Sequence, residues 1–184
     1  MPLVRILVAS TRPRRLGPVV ADWVRAQAPA DVAIEVTDLA ELALPFLDEP
    51  QLAATGVYAH EHTRRWAALV TAADALLVVT PEYNNGYPAA LKNAIDYLYA
   101  EWHGKPIGLV GYGYRAATSC REQLRTVFGR VRADVVGEVG VRFADHLDGD
   151  PGPEASVRPD DALRRDTAAL YAGLRAAVEG SPVD

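Results

Sequence analysis

Three short stretches of this 184-residue chain carry side chains that could do chemistry. The first, Ser10-Thr11-Arg12-Pro13-Arg14-Arg15-Leu16-Gly17-Pro18, follows an apolar run and precedes a helical pattern. A helix start offers free backbone N–H groups and the positive end of its dipole, so strand, polar loop and helix in that order suit phosphate. The loop is neither G-x-x-x-x-G-K-[ST] nor G-x-G-x-x-G. Its hydroxyls and guanidinium groups suit one terminal phosphate better than a pyrophosphate. The same residues also read as an ordinary βα turn with a solvated basic face. The second stretch, Pro81-Glu82-Tyr83-Asn84-Asn85-Gly86-Tyr87-Pro88, is turn chemistry with two aromatics in it. The third, Gly111-Tyr112-Gly113-Tyr114, sets small residues where a flat ligand could approach the backbone closely.

Each stretch sits after an apolar run. Ala75–Val79 has no room for a polar face, which predicts a central strand covered on both sides. Pro81, lacking an N–H and restricting Thr80, is expected to end it. Leu3–Ala9 predicts the first strand, Val32–Thr37 the second, Ile107–Val110 the fourth and Val135–Phe143 the fifth. Between them lie helical patterns marked by Val20, Trp23, Val24 and Ala28, by Trp66, Leu69 and Val70 within Thr63–Ala73, and by Leu124, Val127 and Phe128 within Ser119–Val131. Leu91, Ile95 and Leu98 mark another over Ala89–Trp102, whose Tyr97, Tyr99 and Trp102 exceed what one buried face needs and hint at a partner subunit. Asp38–Leu42 is a short helix or turn, Leu44–Gly56 an excursion near the sheet's end, and Asp145–Asp160 a loop. Asp161–Glu179 is a final helix, and the last residues are expected to fray.

Strands alternating with helices predict one α/β domain over residues 1–184: a doubly wound five-stranded parallel sheet in three αβα layers. In the flavodoxin-like order 2-1-3-4-5, FMN sits at the switch point between strands 1 and 3. Strands 1, 3 and 4 end in the three stretches above, so all three converge on one crevice.

Composition narrows the function. A net charge of −5 argues against nucleic-acid binding, and no apolar run is long enough to cross a membrane. The N-terminal run lacks a basic n-region with a cleavage site, so a cytoplasmic protein is expected. Cys120 is the only cysteine, and a small core residue is its commoner role. His60 and His62 form an H-x-H pair without a third ligand nearby in sequence, so no metal is expected. Glu82 invites a proton-donor role, but a structural carboxylate is the commoner one.

Ala9-Ser10-Thr11-Arg12 continuing to Arg15-Leu16-Gly17, and Pro81–Asn84 followed by Leu91-Lys92-Asn93-Ala94-Ile95-Asp96, resemble the G-S-x-R and P-E-Y-N motifs of the NADPH-dependent FMN reductase family. That family includes quinone, chromate and azo-dye reductases, and the resemblance covers nearly the whole chain. It implies an enzyme that passes a hydride from NADPH or NADH through FMN to a small acceptor such as free flavin or a quinone. Ser10, Thr11, Arg12, Arg15 and Gly17, with Pro18 and Val19, would hold the FMN phosphate. Pro81, Glu82, Tyr83 and Asn84 would line the ring and ribityl chain, and Gly111, Tyr112 and Gly113 would close the other side. The cofactor carries the chemistry, so no protein residue is assigned as catalytic. Arg12, Arg14, Arg15 and Arg115 lean towards NADPH. The family implies a homodimer or homotetramer. Ala9 and Arg14 replace frequent glycines, and Gly111-Tyr112-Gly113 reorders a usual Y-G-G. The competing reading is a flavodoxin-like electron carrier without NAD(P)H turnover; a third is a fold that binds FMN poorly.

Overall fold

The computed structural model describes residues 1–180. Five parallel strands lie in the order β2-β1-β3-β4-β5, the flavodoxin-like arrangement: β1 (Leu3–Val8), β2 (Ala33–Asp38), β3 (Ala75–Pro81), β4 (Pro106–Gly113) and β5 (Asp134–Arg142). The expected fold class is therefore observed. Side chains alternate across the sheet and build two cores. On one face Ile6, Val8, Leu77 and Val79 pack with α1 (Gly17–Ala26) and α7 (Asp161–Gly180). On the other, Leu7, Leu76, Val78 and Leu109 pack with α3 (Glu61–Ala72), α4 (Ala89–Asp96) and α5 (Thr118–Arg130). Every residue of β3 is buried, which its uninterrupted apolar run requires. Among the described residues, no helix is long and apolar enough to cross a membrane. The residues after Gly180, where fraying was expected, lie outside the described ones.

The structure bears out one boundary and corrects two readings. First, β3 ends at Pro81 as expected, with Pro81 its last residue, paired with Tyr112. Ala9 N–H donates to Val79 C=O at 2.9 Å, so Val79 turns its peptide groups towards β1. Pro81, two residues on, turns the same way beyond the end of β1, and its missing N–H costs no ladder bond. Second, the segment after β5 is not only loop. It contains a helical turn, α6 (Phe143–His146), and a two-stranded antiparallel ribbon, β6 (Leu147–Asp148) with β7 (Ser156–Val157). Leu147 and Ala155 of this ribbon are buried against the α1 core.

Third, α4 ends at Asp96, and a turn of 3-10 helix follows over Ala100–Trp102. Tyr97 and Trp102, read as surplus surface, are wholly buried. They satisfy backbone and loop groups that a shortened helix would leave open. Trp102 Nε1 donates to Ile95 C=O at 3.1 Å, and Trp66 Nε1 donates to Ala94 C=O at 2.8 Å. Tyr97 OH donates to Asp48 at 2.9 Å, tying the Leu44–Gly56 excursion to the body. The rings of Trp66, Trp102 and Phe128 stack edge-on at centroid separations of 6.1 and 5.8 Å. Tyr97 and Trp102 are core, while Tyr99 is half-buried with its ring edge-on to His103.

Trp102→Ala therefore costs about 3–5 kcal/mol of folding stability, read as a fall in the urea midpoint. A variant that keeps its midpoint but changes its association state would restore the interface reading.

Candidate active site

The carboxyl ends of β1, β3 and β4 open into one cavity of about 410 Å³, within the ~300–1,000 Å³ range of small-molecule sites. Four arginines line it, Arg12, Arg14, Arg15 and Arg115, against one acidic residue, Glu82. In a chain of net charge −5 that is a strong local reversal of sign. It describes a site for an anion.

The loop after β1 is shaped by close packing. Helix α1 starts at Gly17 with Pro18 in its first turn, and its cap residue, Leu16, supplies no side-chain hydrogen bond to the first N–H groups. Gly17 is set by close packing: a Cβ there would lie 2.2 Å from Ser10 Oγ, 2.9 Å from Val8 Cγ1 and 3.0 Å from the Tyr112 hydroxyl, so a side chain would displace its neighbours. Arg14 adopts a left-handed conformation (φ 55°), the region that favours glycine. Ser10 is fully buried; it lies beside the Tyr112 hydroxyl, yet its Oγ makes no hydrogen bond of ordinary geometry. Arg15 forms an ion pair with Asp38 at the end of β2, while its buried Nε has no partner. The buried Arg15 Nε–H beside a helix start is a donor without an acceptor, and Ser10 Oγ has only the Tyr112 hydroxyl beside it, so an incoming phosphate would supply acceptors. Exposed Arg12 extends over the Tyr83 ring, 5.8 Å from its centroid.

The loop after β3 is a tight hairpin. Tyr83 and Gly86 exchange two backbone hydrogen bonds, of 2.9 and 3.0 Å, with Asn84 (φ 50°) and Asn85 (φ 64°) both left-handed between them. Positive φ at both central positions is the type I′ turn, and asparagine tolerates it. Burial pushes the Tyr83 phenol up, and the charges of Arg12 and Arg15 pull it back.

The loop after β4 forms the facing wall. Tyr112 is buried, and burial raises its phenol well above the ordinary value, with the contact to Ser10 acting the other way. Tyr114 is exposed and packs edge-on against Phe143 at 5.0 Å.

Of the residues singled out in the sequence, Arg12, Arg15, Pro81, Glu82, Tyr83, Tyr112 and Gly113 come together on the cavity wall. Ser10 and Gly17 are buried beneath it, Thr11 is exposed beside it, and Pro18 and Val19 are half-buried on α1. Asn84 is exposed in its turn. Gly111 sits behind the wall instead of closing it. A Cβ there would lie 2.7 Å from Ala116 C=O and 2.9 Å from Ala117 Cβ, so this glycine admits the turn before α5. Phe143 and Pro151 line the cavity without having been singled out. Phe143 follows the end of β5, the same sheet edge as the other loops, and that position was the available signal. Pro151 arrives on the tip of the β6–β7 ribbon, which has no local signature. His60 and His62 stack 5.2 Å apart and bond to the carbonyl and carboxylate of Asp48, so their chemistry is spent on the excursion. Among the described residues, no three His, Cys, Asp or Glu side chains group as a metal site.

Gly17→Ala would force Ser10 and Tyr112 apart and cost about 1–3 kcal/mol, measured by chemical unfolding. Unchanged stability would show that the loop has slack that these distances exclude.

Comparisons with known proteins agree with this geometry. Residues 2–146 match the family model described as NADPH-dependent FMN reductase. An NAD(P)H-dependent FMN reductase of Saccharomyces cerevisiae is 37% identical over 177 residues, covering 88% of this chain and 93% of the yeast protein. A quinone reductase of Pseudomonas putida is 32% identical over 112 residues, 58% of each chain. The flavoenzyme NAD(P)H:(acceptor) oxidoreductase of Paracoccus denitrificans shares the fold, with a TM-score of 0.72 at 22% identity over 97% of this chain and 98% of that one. The sequence motifs, the buried β3 with its hairpin and the arginine-lined crevice thus converge: the chain belongs to the NADPH-dependent FMN reductase family, whose members are oxidoreductases that use FMN and a reduced nicotinamide.

Proposed function

We propose that the chain, as one domain over residues 1–184, passes a hydride from NADPH or NADH through FMN held in this crevice to a small acceptor such as free flavin or a quinone. The observation that carries the placement is the set of four arginines lining one cavity beside an uncapped helix start in an acidic protein. Arg12 and Arg15, with Ser10, Thr11 and the first N–H groups of α1, hold the phosphate; Gly17 lets that loop close, and Pro18 and Val19 set the direction of α1. Pro81, Glu82, Tyr83 and Asn84 form the wall beside the ring and ribityl chain, with Tyr112 and Gly113 opposite. When bound, FMN supplies the hydride-accepting N5 and the route for electrons to the acceptor. The protein orients the ring, excludes water from its inner edge and leaves one face for donor and acceptor in turn. The Cys120 thiol takes no part: burial pushes it up to about 11, so it stays protonated at neutral pH.

The protein works in the cytoplasm as a homodimer or homotetramer. The surface that supports association is not the α4 aromatics but the excursion, where Phe46 and Leu52 are 85% and 79% exposed.

Purified protein should oxidise NADPH steadily when given FMN and a quinone. A protein that keeps flavin yet does not consume NADPH would be an electron carrier instead. Arg12→Ala should weaken FMN binding by about 1.5–3 kcal/mol, the worth of a charge-assisted hydrogen bond. Unchanged affinity would remove Arg12 from the phosphate site.

A further inference from the structure

Helix α5 begins without a cap of its own. Its cap position is held by Ala117, in a left-handed conformation (φ 53°, ψ 39°) that gives no side-chain acceptor. Ala116 before it is left-handed too (φ 52°). Two consecutive alanines in that region are unfavourable, because neither has a side chain able to bond locally in compensation. The turn is forced by the close approach of Gly111, whose position admits no Cβ.

What serves the helix comes from another strand. Glu82 Oε2 accepts from Cys120 N–H at 3.0 Å, across 38 residues of sequence. Cys120 is the third residue of α5, whose N–H an ordinary cap would take. A carboxylate there also meets the positive end of the helix dipole. One turn further on, Gln123 Nε2 donates to Asn85 C=O at 2.6 Å. Two side-chain bonds therefore clamp α5 to the hairpin that carries Tyr83, and a Thr80 Oγ1–Cys120 Sγ contact of 3.6 Å lies beneath them. Glu82 lines the cavity, but the oxygen resolved in a hydrogen bond is turned to the helix.

We propose that Glu82 is a positioning residue, the N-cap of α5 supplied in trans from the β3 hairpin, and that with Gln123 it fixes Tyr83 and the Gly113–Ala117 turn relative to one another. The two walls of the cavity are then one mechanical unit. The consequence for the flavin rests on the function proposed above; the cap itself does not.

The test compares Glu82→Ala, Glu82→Gln and Gln123→Ala in the full chain by amide hydrogen exchange without added flavin, followed by FMN titration. In Glu82→Ala, exchange at Cys120 should rise about tenfold, the usual worth of a cap. Glu82→Gln, whose amide oxygen still accepts, should recover most of that protection. FMN affinity should fall in Glu82→Ala and Gln123→Ala and recover in Glu82→Gln, with an altered visible circular dichroism of bound flavin where Tyr83 has moved. Unchanged protection in Glu82→Ala overturns the proposal. So does equal loss of turnover in Glu82→Ala and Glu82→Gln at unaltered FMN affinity, which would mark an acid–base role. Should Glu82→Ala fail to fold, the exposed Gln123→Ala still decides: unaltered FMN affinity and dichroism would refute the clamp. Loss and rescue of protection in a protein that binds no FMN would uphold the cap and overturn the cofactor reading alone.

Discussion

Adjacent parallel strands β1 and β3 leave the sheet in opposite directions, and everything else in the site depends on that. The chain after β1 turns to the face covered by α1 and α7, while the chain after β3 turns to the face covered by α3, α4 and α5. No connection crosses the gap between them, so a crevice must open at their carboxyl ends. Its depth follows from burial. A strand such as β3, covered on both faces, cannot move without unpacking both cores, and so it delivers its hairpin to a fixed place. The hairpin in turn needs positive φ at Asn84 and Asn85, which orients Tyr83 independently of any ligand.

Electrostatics then gives the crevice its ligand class. The chain is acidic overall, yet arginines line the cavity beside the start of α1. Holding guanidinium groups together is unfavourable unless something divides or neutralises them. Asp38 does this for Arg15 in part, and the Tyr83 ring lies under Arg12. Arg15 Nε remains a buried donor without an acceptor and Ser10 Oγ has only the Tyr112 hydroxyl beside it, a cost that a bound phosphate would remove. Close packing serves the same end: Gly17 lets the helix start approach Ser10 and Tyr112, and Gly111 lets the turn before α5 approach β4.

Most of this was legible in the sequence because its causes are local. The apolar run Ala75–Val79, the turn residues after it and the hydroxyl–arginine loop after β1 are each read from neighbours in the chain, and their convergence follows from strand order. What was not legible arises from distant packing. Tyr97 and Trp102 looked like surplus surface on a long helix; the helix stops at Asp96, both rings are buried, and the indoles of Trp66 and Trp102 take up the carbonyls of Ala94 and Ile95 from outside. Gly111 looked like a ligand-facing glycine, but its bare Cα faces Ala116. Pro151 reaches the cavity on a ribbon of two-residue strands, too short to show any period. Glu82 was read as a structural carboxylate, while its partner, an N–H 38 residues away, could not be named from the sequence.

The central claim is that the arginine loop at the start of α1 holds the phosphate of the flavin. Titrating flavin-free protein with FMN and with riboflavin, which lacks only the phosphate, tests it most directly. With two or more charge-assisted contacts of about 1.5–3 kcal/mol each, FMN should bind at least about a hundredfold more tightly. Equal affinity for the two flavins would contradict the account, because the loop would then hold no phosphate.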